Sequence, residues 1–338
     1  MPRHKREPGT LPRPLAILGA LALTGATGMA VRMLPAGASP APKPPPAVMR
    51  HTPAVSPPVA DEPPSGFVEF VDTAREPGFD LYKESRRTGV RRYALGHLVA
   101  GDDGCAPKWN GPSESDPLDP GTNPVANRIG RLRALGGDAA PVFGGPGGHE
   151  LAGTCTRPGG LAAAYRRVVG AFDAAAVDFE VRDSDDRAAV LRRARAIYAM
   201  QRERPLHVSF TVPLRQDGLD AGVVAMLRAT RQAGAEIGTV NLLAEIEPRG
   251  SADGRLHRMA QAVLAARSQI AQAQGLTDPD EAWRRIALTP VLTGSGDLNE
   301  IDARTLISYA TRHGLAWLSL RGVAPRPDVS RILWEGSA

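Results

Sequence analysis

Asp178, Glu180 and Arg182 recur at every second position of the run Ala175-Ala176-Val177-Asp178-Phe179-Glu180-Val181-Arg182-Asp183. Residues two apart on a strand share a face, so these charged side chains point one way and Val177, Phe179 and Val181 the other. Two carboxylates on one face are suited to general acid–base work only if one keeps a proton and comes within hydrogen-bond reach of the reacting oxygen. A guanidinium beside them opposes this, because it favours the ionised carboxylate. The run therefore predicts a parallel barrel strand that sends a charged row into a central site. A helix-packed edge strand with a solvated face is the alternative reading.

The other candidate chemistry is thinner. Asp183, Asp185 and Asp186 suit a solvated helix N-terminus, where the dipole favours carboxylates, better than a metal site. His97, His149, His207, His257 and His313 fall on separate elements without the spacing of a Ser or Cys triad, and are read as structural. Gly144-Gly145-Pro146-Gly147-Gly148 lacks the Lys-Ser/Thr ending of a phosphate loop and predicts a tight turn. Cys105 and Cys155 are the only cysteines, and neither has a second Cys or a His at ligand spacing. No metal and no cofactor are expected.

Eight short apolar runs supply the elements that would carry these residues: 67–72, 92–99, 139–144, 175–181, 206–213, 237–244, 286–292 and 316–321. Between them lie Ala/Leu/Arg-rich stretches with apolar residues three and four apart, as amphipathic helices require. Such alternation over residues 66–338 predicts a (β/α)8 TIM barrel, with a doubly wound sheet as the competing architecture. In a barrel the functional residues sit at the C-terminal ends of the strands. The charged run is then the fourth strand, with Cys105 after the second and Cys155 after the third.

The formal charge of +5 misleads. Residues 1–38 carry Arg3, Lys5, Arg6, Arg13 and Arg32 against Glu7, which leaves the remainder nearly neutral. Nucleic acid is therefore not an expected partner. The basic start precedes an apolar stretch at 15–31 and the small-x-small Ala36-Gly37-Ala38, the layout of a signal peptide or, uncut, a membrane anchor. Membrane contact is expected through this segment alone, and the body is expected outside the cell or in its envelope. Residues 39–65 form a Pro-rich linker whose composition favours extended polyproline geometry. In an exported chain the cysteine pair is expected to be oxidised, worth at most ~4 kcal/mol in the chain-entropy model.

Several segments together resemble secreted actinobacterial family 18 glycoside hydrolases, the chitinases. Arg92 to Gly101 with Gly104-Cys105-Ala106-Pro107-Lys108-Trp109 resembles the family's second strand and cysteine loop. Val142 to Gly148 with Glu150-Leu151 resembles the SxGG turn after strand three, and Cys105 and Cys155 match the family's bridged pair. Leu206–Pro213 and Val240–Ala244 resemble strands five and six. The resemblance implies a substrate face that includes Gly144, Gly145, Trp109, Asn241, Glu245 and Arg321, and a glycan containing N-acetylglucosamine as partner. Trp109 could stack on a sugar or pack over the disulfide.

The central run matches the family's DxxDxDxE motif, with Ala175 in place of its first Asp and Arg182 in place of the Glu that protonates the leaving oxygen. Arginine stays charged and has no acceptor, so it cannot deliver that proton. Leu243-Ala244-Glu245-Ile246-Glu247 stands where the family has Met-x-Met-Asp-Tyr, and Leu318 to Gly322 where strand eight ends in a Trp. An ion network joining Asp178, Glu180, Glu245 and Glu247 to Arg182 and Arg321 is the expected outcome. No catalytic residue is then expected, and Glu180, ~6.6 Å deeper along the strand than position 182, is the candidate for a displaced acid. The expected function is a non-hydrolytic, glycan-binding or interaction module. An active chitinase or endo-glycosidase and a purely structural envelope protein are the alternatives.

Overall fold

The computed structural model describes residues 66–110, 126–247 and 254–336. The expected leader at 1–38 and the Pro-rich segment at 39–65 lie outside the described residues.

Eight parallel strands close into a barrel: β1 (Gly66–Asp72), β2 (Arg92–Ala100), β4 (Asp138–Gly144), β5 (Ala176–Glu180), β6 (His207–Pro213), β7 (Thr239–Glu245), β8 (Ile286–Leu292) and β9 (Trp317–Leu318). Their neighbours run β1-β9-β8-β7-β6-β5-β4-β2, and β1 pairs with β2 to complete the ring. The expected (β/α)8 architecture is found, and a doubly wound sheet, which is open, is excluded. Helices α1 (Leu81–Thr88), α2 (Ala126–Arg133), α3 (Leu151–Thr154), α4 (Gly160–Ala171), α5 (Arg187–Glu203), α6 (Ala221–Gln232), α7 (Arg255–Gln274), α8 (Glu300–His313) and α9 (Pro327–Gly336) follow in order.

Alternation on β5 works as the sequence suggests. Val177 and Phe179 are fully buried on the helix side, where Phe179 meets Phe143, Tyr165 and Phe210 at ring-centroid distances of 5.5, 5.2 and 5.6 Å. Asp178 and Glu180 face the interior. The strand ends at Glu180 rather than Val181, so Arg182 belongs to the following loop. Asp186 caps α5 by accepting the backbone N–H groups of Ala188 and Ala189 at 2.9 and 3.0 Å, which accounts for one of the three nearby acids.

Two additions modify the barrel. β3 (Pro107–Trp109) folds back antiparallel on β2, and the disulfide Cys105–Cys155 pins the β2–β3 turn to the end of α3. β10 (Arg321–Gly322) pairs with β8 instead of extending β9 along β1. Gly322 permits this: its φ of 84° is left-handed, and a Cβ there would lie 2.0 Å from the Leu292 carbonyl oxygen. Because β9 meets β1 only at Gly66 and Phe67, β1 from Val68 onward has a strand neighbour on its β2 side alone. A lateral groove opens along that seam.

Candidate functional site

Glu180 is the centre of the barrel mouth. It is 3% exposed and accepts three hydrogen bonds: from His97 Nε2 at 2.9 Å, Arg182 Nη2 at 3.2 Å and Arg321 Nη2 at 3.4 Å. Burial pushes the Glu180 carboxyl up, but the hydrogen bond from His97 and the charges of Arg321, His97 and Arg182 outweigh it and hold the pKa down at about 2. Arg321 is itself buried and lies over the face of the Phe70 ring. Burial lowers its pKa to about 10, against the opposing pull of Glu180, Asp178 and Asp72, so it remains a cation near neutrality. Arg182 is different, with half of its side chain exposed. It is a rim residue that leans on Glu180.

A second polar layer lies beneath. Asp178 accepts hydrogen bonds from Ser209 Oγ at 2.5 Å and Thr211 Oγ1 at 2.7 Å. Asn241 donates to Thr211 at 3.0 Å and accepts from Thr289 at 2.7 Å, so the chain of bonds crosses β5, β6, β7 and β8. The parallel registers Asp178↔Ser209 and Thr211↔Asn241 create it by placing polar residues side by side on inward-facing positions. Burial raises Asp178 to about 6, with the two hydroxyl hydrogen bonds and Arg321 acting in the other direction.

These opposite shifts give a signed prediction. Glu180, depressed in the folded state, contributes stability above its unfolded value that is lost as pH falls from about 4.5 toward 2. Asp178, raised, and Glu69, which burial and the charge of Glu84 raise to about 7, contribute stability at low pH that is lost as pH rises through about 6 and 7. The melting temperature should therefore be higher at mildly acidic pH than above neutrality. Melting curves across that range check this, and Asp178→Asn should flatten the part of the decline that ends near pH of about 6.

Only part of the expected substrate face assembles. Gly144 pairs with Glu180 at the end of β4, and Gly145 donates its N–H to the Glu180 carbonyl at 3.0 Å. A Cβ on Gly145 would lie 2.4 Å from the His97 ring, so glycine lets this turn close over the His97–Glu180 pair. Arg321 joins the same cluster. Trp109, expected as a possible sugar platform, is corrected: it is 4% exposed and stacked on Phe172 at 6.1 Å, because the β2–β3 arm folds it inward. Asn241 is likewise removed from the mouth, since both ends of its amide are used inside the barrel. Glu245 stands exposed at the end of β7, beside a cavity shared with Arg215, Arg255 and Arg258. Glu247 accepts from Arg258 Nε at 2.8 Å, so the expected four-acid network contracts to Glu180 with Arg182 and Arg321, with Asp178 held by hydroxyls.

Sequence reasoning missed two participants. His97 was read as structural, yet it makes the shortest contact to Glu180. Behind β5, Glu150 accepts from Tyr165 Oη at 2.5 Å and from Arg193 Nη2 at 3.2 Å, with Arg193 only 2% exposed. An Arg within an Arg-rich helix carries no sequence mark of burial. The open volume bordering Glu180, Arg182 and Glu150 is about 50 Å³, small beside the roughly 300 Å³ from which ligand clefts start. Among the described residues no group of three His, Cys, Asp or Glu side chains is placed to hold a metal ion.

Known structures of chitinases share this closed parallel barrel. Active domain 2 of the chitinase from Pyrococcus furiosus superposes with a TM-score of 0.68 at 21% identity, over 83% of this chain and 99% of that one. The family 18 chitinase from Pseudoalteromonas aurantia gives 0.52 at 14% identity, over 79% and 97%. The spore cortex-lytic enzyme SleL of Bacillus cereus gives 0.55 at 12%, over 81% and 74%. At these identities the likeness is one of fold. No family model and no curated protein matches the chain.

Proposed function

We propose that this chain is an exported, non-hydrolytic barrel of the chitinase fold that serves the cell envelope as a binding module for a glycan containing N-acetylglucosamine. The observation that carries the reading is the state of Glu180. A general acid must hold a proton near the working pH, and Glu180 is ionised under three nitrogen donors. The position where the resemblance places the proton donor is Arg182, whose guanidinium cannot give one up. The glycan part of the reading is supported by the Pyrococcus furiosus domain, whose catalytic-site mutants were crystallised with chito-oligosaccharides. Export rests on the basic and apolar start of the sequence and on the Cys105–Cys155 bridge, which suits an oxidising compartment.

A structural role in the envelope is the second reading, favoured by the burial of Trp109 and the small volume beside Glu180. Titration of the purified full chain with N-acetylglucosamine oligosaccharides separates the two, since a structural protein would show no saturable binding. Arg182→Glu adds a further expectation. It should create no chitinase, because the new carboxyl would stand half exposed at the rim, where Glu245 and Arg321 still differ from the family's residues. Its effect on stability should stay within about 1 kcal/mol, as for exposed pairs. Turnover by Arg182→Glu would show that one residue separates this chain from an enzyme.

A further inference from the structure

A cavity roomier than the one beside Glu180 runs along the seam between β1 and β10. It encloses about 430 Å³ and is bordered by Glu69, Glu76, Phe70, Phe79, Ser330 and Trp334 among others. That volume falls within the range of small-molecule clefts. Aromatic side chains from three elements line it, and Phe79 and Trp334 are only partly buried.

Its charges are unevenly committed. Arg321 is bound to Glu180, Arg75 pairs with Asp72 at 3.5 Å, and Arg87 pairs with Glu84 at 2.6 Å while its guanidinium lies over one face of the Trp334 ring, 5.1 Å from the centroid. Glu69 and Glu76 make no ion pair among the described residues. Glu69 Oε2 is buried without a hydrogen-bond partner, although it belongs to a carboxyl group that borders an open groove. A buried carboxyl oxygen without a partner is costly, and native proteins rarely leave one. Burial and the charges of Glu84 and Glu76 raise the Glu69 carboxyl to about 7 and together outweigh the opposing charge of Arg87. A cation placed in the groove would supply the missing partner. Among the described residues no three ligating groups converge there to hold a metal ion. Aromatic faces also favour a cation carried on an apolar or ring-shaped body.

We propose that this seam groove binds the ammonium group of a glucosamine unit, so that the glycan recognised is a partly de-acetylated N-acetylglucosamine polymer. In this arrangement the ammonium donates to Glu69 and Glu76 while the sugar ring lies against Phe79 and Trp334. The inference rests on the glycan-binding reading and adds to it both the location of the site and the chemical state of the sugar.

Calorimetric titration of the full chain with glucosamine oligosaccharides, N-acetylglucosamine oligosaccharides and an oligolysine peptide, each near neutral pH, tests it. Glucosamine oligosaccharides should bind at least tenfold more tightly than the acetylated ones and than oligolysine. Glu69→Gln should weaken them about tenfold, while Glu300→Gln, at a half-exposed acid that pairs with Arg304 on α8, should leave them unchanged. Glu76→Gln, at the edge of the groove, provides the same test should Glu69→Gln fail to fold. Acetylated oligosaccharides that bind as well as glucosamine ones, indifferent to Glu69, would overturn the ammonium site and leave the glycan-binding reading standing. Binding of neither sugar would remove both. Equal weakening by Glu300→Gln, or oligolysine binding as tight as glucosamine, would reduce the effect to general charge attraction and overturn the site.

Discussion

Replacing Glu180 with Gln should destabilise the protein by about 3 kcal/mol or more, because it leaves Arg321 charged and buried without its nearest anion. The isosteric amide can still accept some of the hydrogen bonds, so the loss reports charge rather than shape. Arg321 already has Nη1 buried without a hydrogen-bond partner, and Asp178 is engaged by Ser209 and Thr211. The remaining pull of Asp178 and Asp72 on Arg321 compensates only in part. Arg182→Gln is the matching control: half of that side chain is in water, and the expected cost is under about 1 kcal/mol. Denaturant melts of the two variants measure the contrast, and equal losses would mean that the mouth is stabilised from the rim and not from its buried pair.

Arg193→Met should rank with Glu180→Gln in effect, at about 3–5 kcal/mol, by removing the cation from a buried carboxylate. Glu150 would keep the Tyr165 hydroxyl and the Ala152 N–H but lose both bonds from the guanidinium, at 3.3 and 3.2 Å. The same carboxylate caps α3, next to the disulfide-linked Cys155. Adding Glu150→Gln to Arg193→Met should recover part of the loss, since replacing a buried pair is tolerated better than breaking it. A double-mutant cycle by chemical denaturation gives the coupling, and simple additivity would show that the two residues act independently.

The strands were legible because the physics that forms them is local. β-branched and aromatic residues in short runs, separated by amphipathic stretches, located all eight barrel strands to within a few residues. Two-residue periodicity likewise put Asp178 and Glu180 in the interior. What failed was long-range. His97 meets Glu180 across 83 residues of chain, and nothing near His97 in the sequence indicates a partner. The sequence leaves Trp109 open between stacking on a sugar and packing inward, because the antiparallel return of β3 onto β2, which pairs it with Leu98, is not marked near it in the chain. Glu245 is expected in the ion network from its place at a segment that departs from the family's, but it stands exposed at the end of β7. The seam groove left no trace in the sequence. It exists because Arg321 and Gly322 pair with β8 rather than β1, a choice made by the register of the closed sheet.

The proposal that this barrel is non-hydrolytic is tested most directly by one assay: turnover of N-acetylglucosamine oligosaccharides by the purified full chain, beside the Glu180→Gln variant prepared identically. The account predicts no product from either protein across the acidic and neutral range, because Glu180 is already ionised above pH of about 2 and Arg182 cannot donate a proton. Hydrolysis by the wild type that disappears in Glu180→Gln would contradict it and make Glu180 the displaced acid of an active enzyme.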